Sequence, residues 1–122
     1  MKFQPESASG VNVVSRQQPG CVWVGPTAYE HALLLPWTGT PENWGLTDFE
    51  GLTAAHFERI AALAPEVVIF GSGPRIRFPH PSLTRALIER RIGIETMDTA
   101  AACRTYNVLV TEGRSVVAAL LI

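Results

Sequence analysis

Apolar and polar positions change period several times along this chain, and each change marks an element. Val11–Val14 and Cys21–Val24 are short β-branched runs on either side of Ser15–Gly20, where Pro19-Gly20 is a turn signal. Together they predict a β-hairpin at the N-terminal end of the domain. Tyr29–Leu35 alternates and then turns fully apolar at Leu33-Leu34-Leu35, a third strand. Pro36–Gly51 has no period and reads as a loop, long for a small domain and therefore a place for function or a partner. Thr53–Leu63 has helical spacing at Ala54, Phe57 and Ile60, with Thr53 as N-cap and Pro65 as stop. Val67–Phe70, bounded by Pro65 and Gly71, reads as a strand buried on both faces. A second helix is predicted over Ser82–Arg91, ended by Gly93, and a short strand over Ile94–Thr96. Asp98 then caps a third helix that runs to Thr111, with Gly113 as its natural C-cap. Ser115–Leu121 is a last, almost wholly apolar strand whose direction the periodicity leaves open.

This order, strands first and then helices alternating with strands, predicts one α/β domain over residues 11–122 containing two right-handed crossovers. The polar stretch Met1–Gly10 is expected to be a frayed, flexible N-terminus.

Charge and composition narrow the function classes. Of 122 residues 47% are hydrophobic and 17% charged, with a net charge of −1, which places the chain among globular domains. So small a net charge argues against nucleic acid as a partner. No apolar run is long enough for stable membrane insertion. The first ten residues resemble neither a signal peptide nor a transit peptide, so a cytoplasmic location is expected. Arginine outnumbers lysine nine to one, which suits a GC-rich bacterial genome. The charge is uneven: Glu30–Glu66 carries six acids against one Arg, and Arg75–Arg91 carries five Arg against one Glu. Cys21 and Cys103 have no metal or redox spacing, and His31, His56 and His80 are scattered, so no metal, no disulfide and no cofactor are expected.

The stretch with the most chemistry follows the buried strand. Gly71-Ser72-Gly73-Pro74 breaks it abruptly, and ligands of open α/β sheets bind beyond the carboxyl ends of such strands. Ser72, Gly73, Arg75 and Arg77 make up a candidate cradle for an anion or small polar ligand. The competing reading is a glycine-rich turn, since Gly-x-Gly lacks the third Gly of a dinucleotide fingerprint and the Gly-Lys-Ser/Thr of a P-loop. Tyr106 and Asn107, mid-helix, are candidates to line the same cleft; otherwise Asn107 serves a structural hydrogen bond to nearby backbone. Trp37 and Trp44 in the long loop are candidate partner anchors; the competing reading is that they fold back onto the sheet. Ser72 is not set in a nucleophile motif, so no catalytic residue is assigned.

Two blocks together resemble a known family. The strand end Val67–Gly73, and the run from Met97 through Thr105-Tyr106-Asn107 and Glu112-Gly113-Arg114 into Val116–Leu121, are similar to the adipogenesis-associated Mth-type domain proteins and the mitochondrial complex I (NADH dehydrogenase) assembly factors related to them. Tyr29 and Pro36-Trp37 fit as well. The resemblance implies a single three-layer α/β domain with a central mixed sheet whose last strand is antiparallel. It also implies bacterial members without a defined activity and eukaryotic members that help assemble the peripheral arm of complex I, with no catalytic residues or cofactor to carry over. The leading expectation is a non-enzymatic accessory or assembly protein acting through protein–protein contacts, a second copy of the chain included among its partners. The alternative is a small-molecule or anion-binding domain, or an enzyme of unknown class, with its site at Gly71-Ser72-Gly73.

Overall fold

The structure, a computed structural model, describes residues 10–122. All but the last residue of the expected flexible stretch Met1–Gly10 therefore lies outside the described residues. Three short antiparallel strands come first, β1 (Val14–Gln18), β2 (Cys21–Val24) and β3 (Thr27–Tyr29), forming a sheet of their own. β4 (Leu33–Pro36) and the two-residue β5 (Glu42–Asn43) follow, then a 3₁₀ turn at Phe49–Gly51. The rest alternates: α1 (Ala54–Ala62), β6 (Val67–Gly71), α2 (Arg85–Glu89), β7 (Gly93–Met97), α3 (Thr99–Thr111) and β8 (Val116–Leu120).

The main sheet has the order β5-β4-β8-β6-β7. β6 lies between β8 and β7 and is parallel to both, and its five residues are all buried, as the continuous apolar run predicts. The last strand has two characters. β8 is antiparallel to β4, which the family resemblance implies, and parallel to β6 on its other side. The sheet is thus mixed across β8. The chain steps outward from β6 to β7 through α2 and back over β6 to β8 through α3. Two crossovers of one hand running in opposite directions place their helices on opposite faces. Accordingly α1 and α2 cover one face, and α3 with the small sheet covers the other.

The period-2 alternation of the strands divides their side chains between these layers. Val68, Phe70, Val117 and Ala119 point towards Trp44, Phe57, Ile60 and Leu87. Ile69, Ala118 and Leu120 point towards Ala102, Tyr106, Val110 and Val22.

Several boundaries differ from the sequence pattern. The first strand is not Val11–Val14 but Val14–Gln18, a polar edge strand. It is held by ladder pairing to β2 and by Arg16, whose guanidinium lies 4.7 Å over the Trp23 ring. The predicted hairpin is therefore two strands of a three-stranded meander, since Thr27–Tyr29 turns back onto β2 rather than running on into Leu33. The second helix is only five residues long. Residues 81–84 form a turn in which the His80 ring accepts from the Ser82 amide at 3.1 Å and the His80 carbonyl accepts from the Leu83 amide at 2.9 Å. Arg91, with φ 58°, leaves the helix in the left-handed region ahead of Gly93. Arg90 donates to the Ala61 carbonyl at 3.0 Å, capping the carboxyl end of α1. The predicted caps hold: the His56 ring accepts from the Thr53 amide at 3.0 Å in a capping-box arrangement, and the Asp98 carboxylate accepts from the Ala101 amide at 2.9 Å.

Candidate functional site

The carboxyl end of β6 is built around two glycines with different reasons for being glycine. A Cβ on Gly71 would lie 3.0 Å from Ala102 Cβ, 3.0 Å from Leu120 Cδ2 and 3.1 Å from Thr99 Cα, so the first turn of α3 rests directly on the strand. Gly73 has φ +102°, a conformation that L side chains rarely adopt.

Between them the crevice is stitched by the protein's own groups. The Ser72 amide donates to the Met97 carbonyl at 2.9 Å. The Ser72 hydroxyl donates to the Arg75 carbonyl at 2.8 Å and accepts from the Arg77 amide at 2.9 Å. The Gly73 amide donates to Thr99 Oγ1 at 2.8 Å, and that hydroxyl in turn donates to the Leu121 carbonyl. The Leu121 amide donates to the Gly71 carbonyl at 2.9 Å. One buried threonine therefore ties the ends of β6 and β8 to the start of α3. The donors expected to converge on an anion at Ser72 and Gly73 have internal partners.

The two arginines part company. Arg77 forms an ion pair with Glu50, and its guanidinium lies 4.2 Å over the Phe49 ring. The hydrogen bond from Arg77, with the positive charges of Arg77 and Arg75 nearby, holds the Glu50 carboxyl below its ordinary range. Arg75 is exposed, and its guanidinium makes no hydrogen bond or ion pair among the described residues. These contacts join the long loop before α1 to the loop after β6, so two stretches that look separate in sequence share one surface.

Tyr106 and Asn107 lie two turns along α3 from Thr99, about 10–12 Å at 1.5 Å per residue. Both work in the anchoring of the N-terminal segment. The Tyr106 hydroxyl, fully buried, donates to the carbonyls of Asn12 at 2.9 Å and Pro36 at 3.1 Å. The Asn107 amide donates to the Val14 carbonyl and accepts from the Val14 amide, each at 2.8 Å. The structure therefore does not bring these two side chains to the Gly71–Gly73 crevice, because the α3 face they occupy is the one the small sheet packs on.

The tryptophans also differ. Trp44 is fully buried at 0% exposure, edge-on to Phe57 and Phe70, with its indole N–H donating to the His56 carbonyl at 3.2 Å. The expected surface anchor at this position is corrected to a core residue: Trp44 fills the space where β5 and α1 meet the sheet. Trp37 is half-buried and packs against both halves of the core.

A cleft of about 410 Å³ opens beside the crevice, between the β1–β2 turn at Gln18-Pro19, Gly73-Pro74, Asp98 and Ile122. Of the expected ligand residues only Gly73 lines it, and the charged side chain present is the Asp98 carboxylate. A smaller hollow of about 240 Å³ lies along α3 between Arg16, Arg104 and Asn107. Cys21 and Cys103 are both buried and free. Among the described residues no three His, Cys, Asp or Glu side chains gather as metal ligands, and no helix is long and apolar enough to cross a membrane.

The features that the pattern of the sequence did not single out are Thr99, Ile76 and Phe78. Ile76 and Phe78 are large, exposed and carried by the loop after β6. Their signal was the alternation Arg75-Ile76-Arg77-Phe78 between prolines, a pattern with no core to face.

The family model for a protein of unknown function designated DUF498/DUF598 matches residues 14–121. The chain belongs to this family. The mouse protein named NADH dehydrogenase (ubiquinone) 1 alpha subcomplex assembly factor 3 is 32% identical over 121 residues, covering 98% of this chain and 64% of its own length. The chain thus spans a little under two thirds of the curated relatives it matches first. A crystal structure of a Bordetella parapertussis protein superposes with TM-score 0.88 at 37% identity, covering 93% of this chain and 98% of that one. A Bordetella pertussis protein described as a Mth938-like domain gives TM-score 0.85 at 31% identity, covering 99% of this chain and 92% of that one. Both the family and the fold that the sequence resemblance implied are those of this chain, and the fold is of the Mth938-like type.

Proposed function

We propose that this chain is a non-enzymatic accessory protein of the cytoplasm that acts by protein–protein contact, in the assembly of a respiratory NADH dehydrogenase. The observation that carries the reading is the likeness, along 98% of the chain, to a relative named as a complex I assembly factor. The site supports it from the other side. Ser72, Tyr106 and Asn107 spend their polar groups inside the molecule, leaving Arg75 and the exposed apolar side chains of the same loop to face outward. Of the two candidate anchors, half-buried Trp37 is the one with surface left for a partner. The test is deletion of the gene in its host, followed by native gels and NADH:quinone activity of the membrane fraction. Accumulated subassemblies, restored by the wild-type gene, are expected; an unchanged enzyme overturns the reading.

The second reading, a small-ligand site, is favoured by the cleft of about 410 Å³ at the carboxyl end of the sheet. Of the original cradle Gly73 lines this cleft, and Arg75, on the same loop outside it, keeps a guanidinium with no internal partner for an anion. Titration with phosphate, followed by amide NMR, tests it. A saturable shift at Gly73 and Arg75 supports the site, and unmoved signals remove it.

A further inference from the structure

The exposed apolar side chains of the described residues include two neighbours on one short loop. Phe78 is 71% exposed and Ile76 is 51% exposed. Between them Arg77 turns inward to Glu50 and the Phe49 ring. The Ser72 hydroxyl holds the Arg75 carbonyl and the Arg77 amide, and Pro74 and Pro79 fix φ on either side. The loop is thus pinned by its polar groups so that its apolar groups face solvent.

We propose that Ile76 and Phe78 are the anchors of a protein-docking surface, and that the partner offers an apolar pocket edged by a carboxylate for Arg75. The proposal rests on the accessory-protein reading and names the surface through which it acts. An aromatic side chain beside an unpaired arginine is the composition of an interface hot spot. Pre-pinning removes the ordering cost that a mobile loop would add on binding. Charge selects the occupant. Arg75 forms no ion pair among the described residues, whereas Arg77 is bonded to Glu50, so the patch asks for one acidic group rather than many. A bilayer is disfavoured on the same ground, because surface attachment to anionic lipid needs several free cations and here a carboxylate sits among them. A second copy of the chain is disfavoured because a two-fold contact centred on this loop would set Arg75 against its own symmetry mate.

Selection of a random peptide library on the purified full chain, followed by affinity measurement with the selected synthetic peptides, tests this. The expected peptides carry an aromatic or aliphatic residue flanked by Asp or Glu. Phe78→Ala weakens them at least about tenfold, Arg75→Glu weakens them severalfold, and Val108→Asp, also exposed but on α3, leaves them unchanged. Peptides indifferent to Phe78→Ala overturn the proposal. So does Phe78-dependent binding to vesicles of phosphatidylglycerol and phosphatidylethanolamine, or a dimer in sedimentation that Phe78→Ala dissolves. Phe78 is exposed, so its loss leaves the core intact, and a circular dichroism melt matching wild type verifies this. Normal NADH dehydrogenase in the deletion strain together with Phe78-dependent peptides would overturn the assembly role and leave the docking surface standing.

Discussion

The two faces of the five-stranded sheet are closed by different chemistry. Against α1 and α2 the seal is aromatic: Trp44, Phe57 and Phe70 meet edge to face with ring centroids 5.8–6.0 Å apart, and the one side-chain polar contact within that cluster is the indole N–H. Against α3 small residues meet, Gly71 and Ala118 on the sheet and Ala102 on the helix, and polar side chains finish the work. Thr99, Tyr106 and Asn107 bind backbone that is distant in sequence. One face depends on volume, and the other on close approach and hydrogen bonds placed to suit it.

The comparison breaks most sharply at Trp44. Trp44→Ala should cost about 3–5 kcal/mol, because it removes a large buried ring and leaves a cavity; urea unfolding measures it. A loss under 1 kcal/mol would mean that the aromatic face can collapse and is not the volume-dependent one. On the opposite face, Gly71→Ala adds a single methyl group and should still cost about 1–3 kcal/mol, because the helix backbone at Thr99 cannot yield. Thermal melting checks it, and an unchanged midpoint would show that α3 lifts freely from the strand.

Asn107→Ala should cost about 1–2 kcal/mol by unpairing the Val14 amide and carbonyl. Its effect should be local, with faster hydrogen exchange in β1 and β2 and little change in β6.

At ordinary pH the last effect is silent: an alkaline pH dependence belonging to the α3 face. Burial pushes the Cys103 thiol up from its ordinary 9.0 to about 11, and burial raises the Tyr106 hydroxyl as well. The folded state therefore keeps protons that the unfolded chain releases. Stability from these groups is complete below about pH 9 and declines as pH rises towards 11. Stability measured from pH 8 to 11 should fall along this slope. Cys103→Ala should lessen it, leaving the part due to Tyr106, and the Trp44→Ala protein, lower throughout, should keep it.

The aromatic face was largely legible in the sequence. Val67–Phe70 announced a buried strand by its unbroken apolar run, and Phe57 and Ile60 announced the inner side of α1 by their spacing. Trp44 could be read either as a surface anchor or as folded back onto the sheet, because a residue in an aperiodic loop carries no pattern saying which way it faces; it is the second. The α3 face was legible only in its frame. Asp98 as cap and Gly113 as stop fixed the helix, yet Tyr106 and Asn107 find partners as many as 94 residues away, and local pattern carries no such reach. The strand Val14–Gln18 was hidden for a related reason: its pairing, not its polar side chains, makes it a strand. At the candidate site, Gly71-Ser72-Gly73 correctly marked a close approach of backbone, but what approaches is the protein's own helix.

Asn107 has one more consequence. Its carboxamide offers Val14 an acceptor and a donor side by side, the same pair a neighbouring strand would present. The helix thereby acts as a one-residue surrogate strand along the outer edge of the small sheet. That edge is covered at its first rung and open further along, so a foreign strand seeking to extend the sheet meets an occupied starting place. The same amide fastens the N-terminal meander to α3 through Val14, so part of the meander's hold on the domain passes through that one side chain.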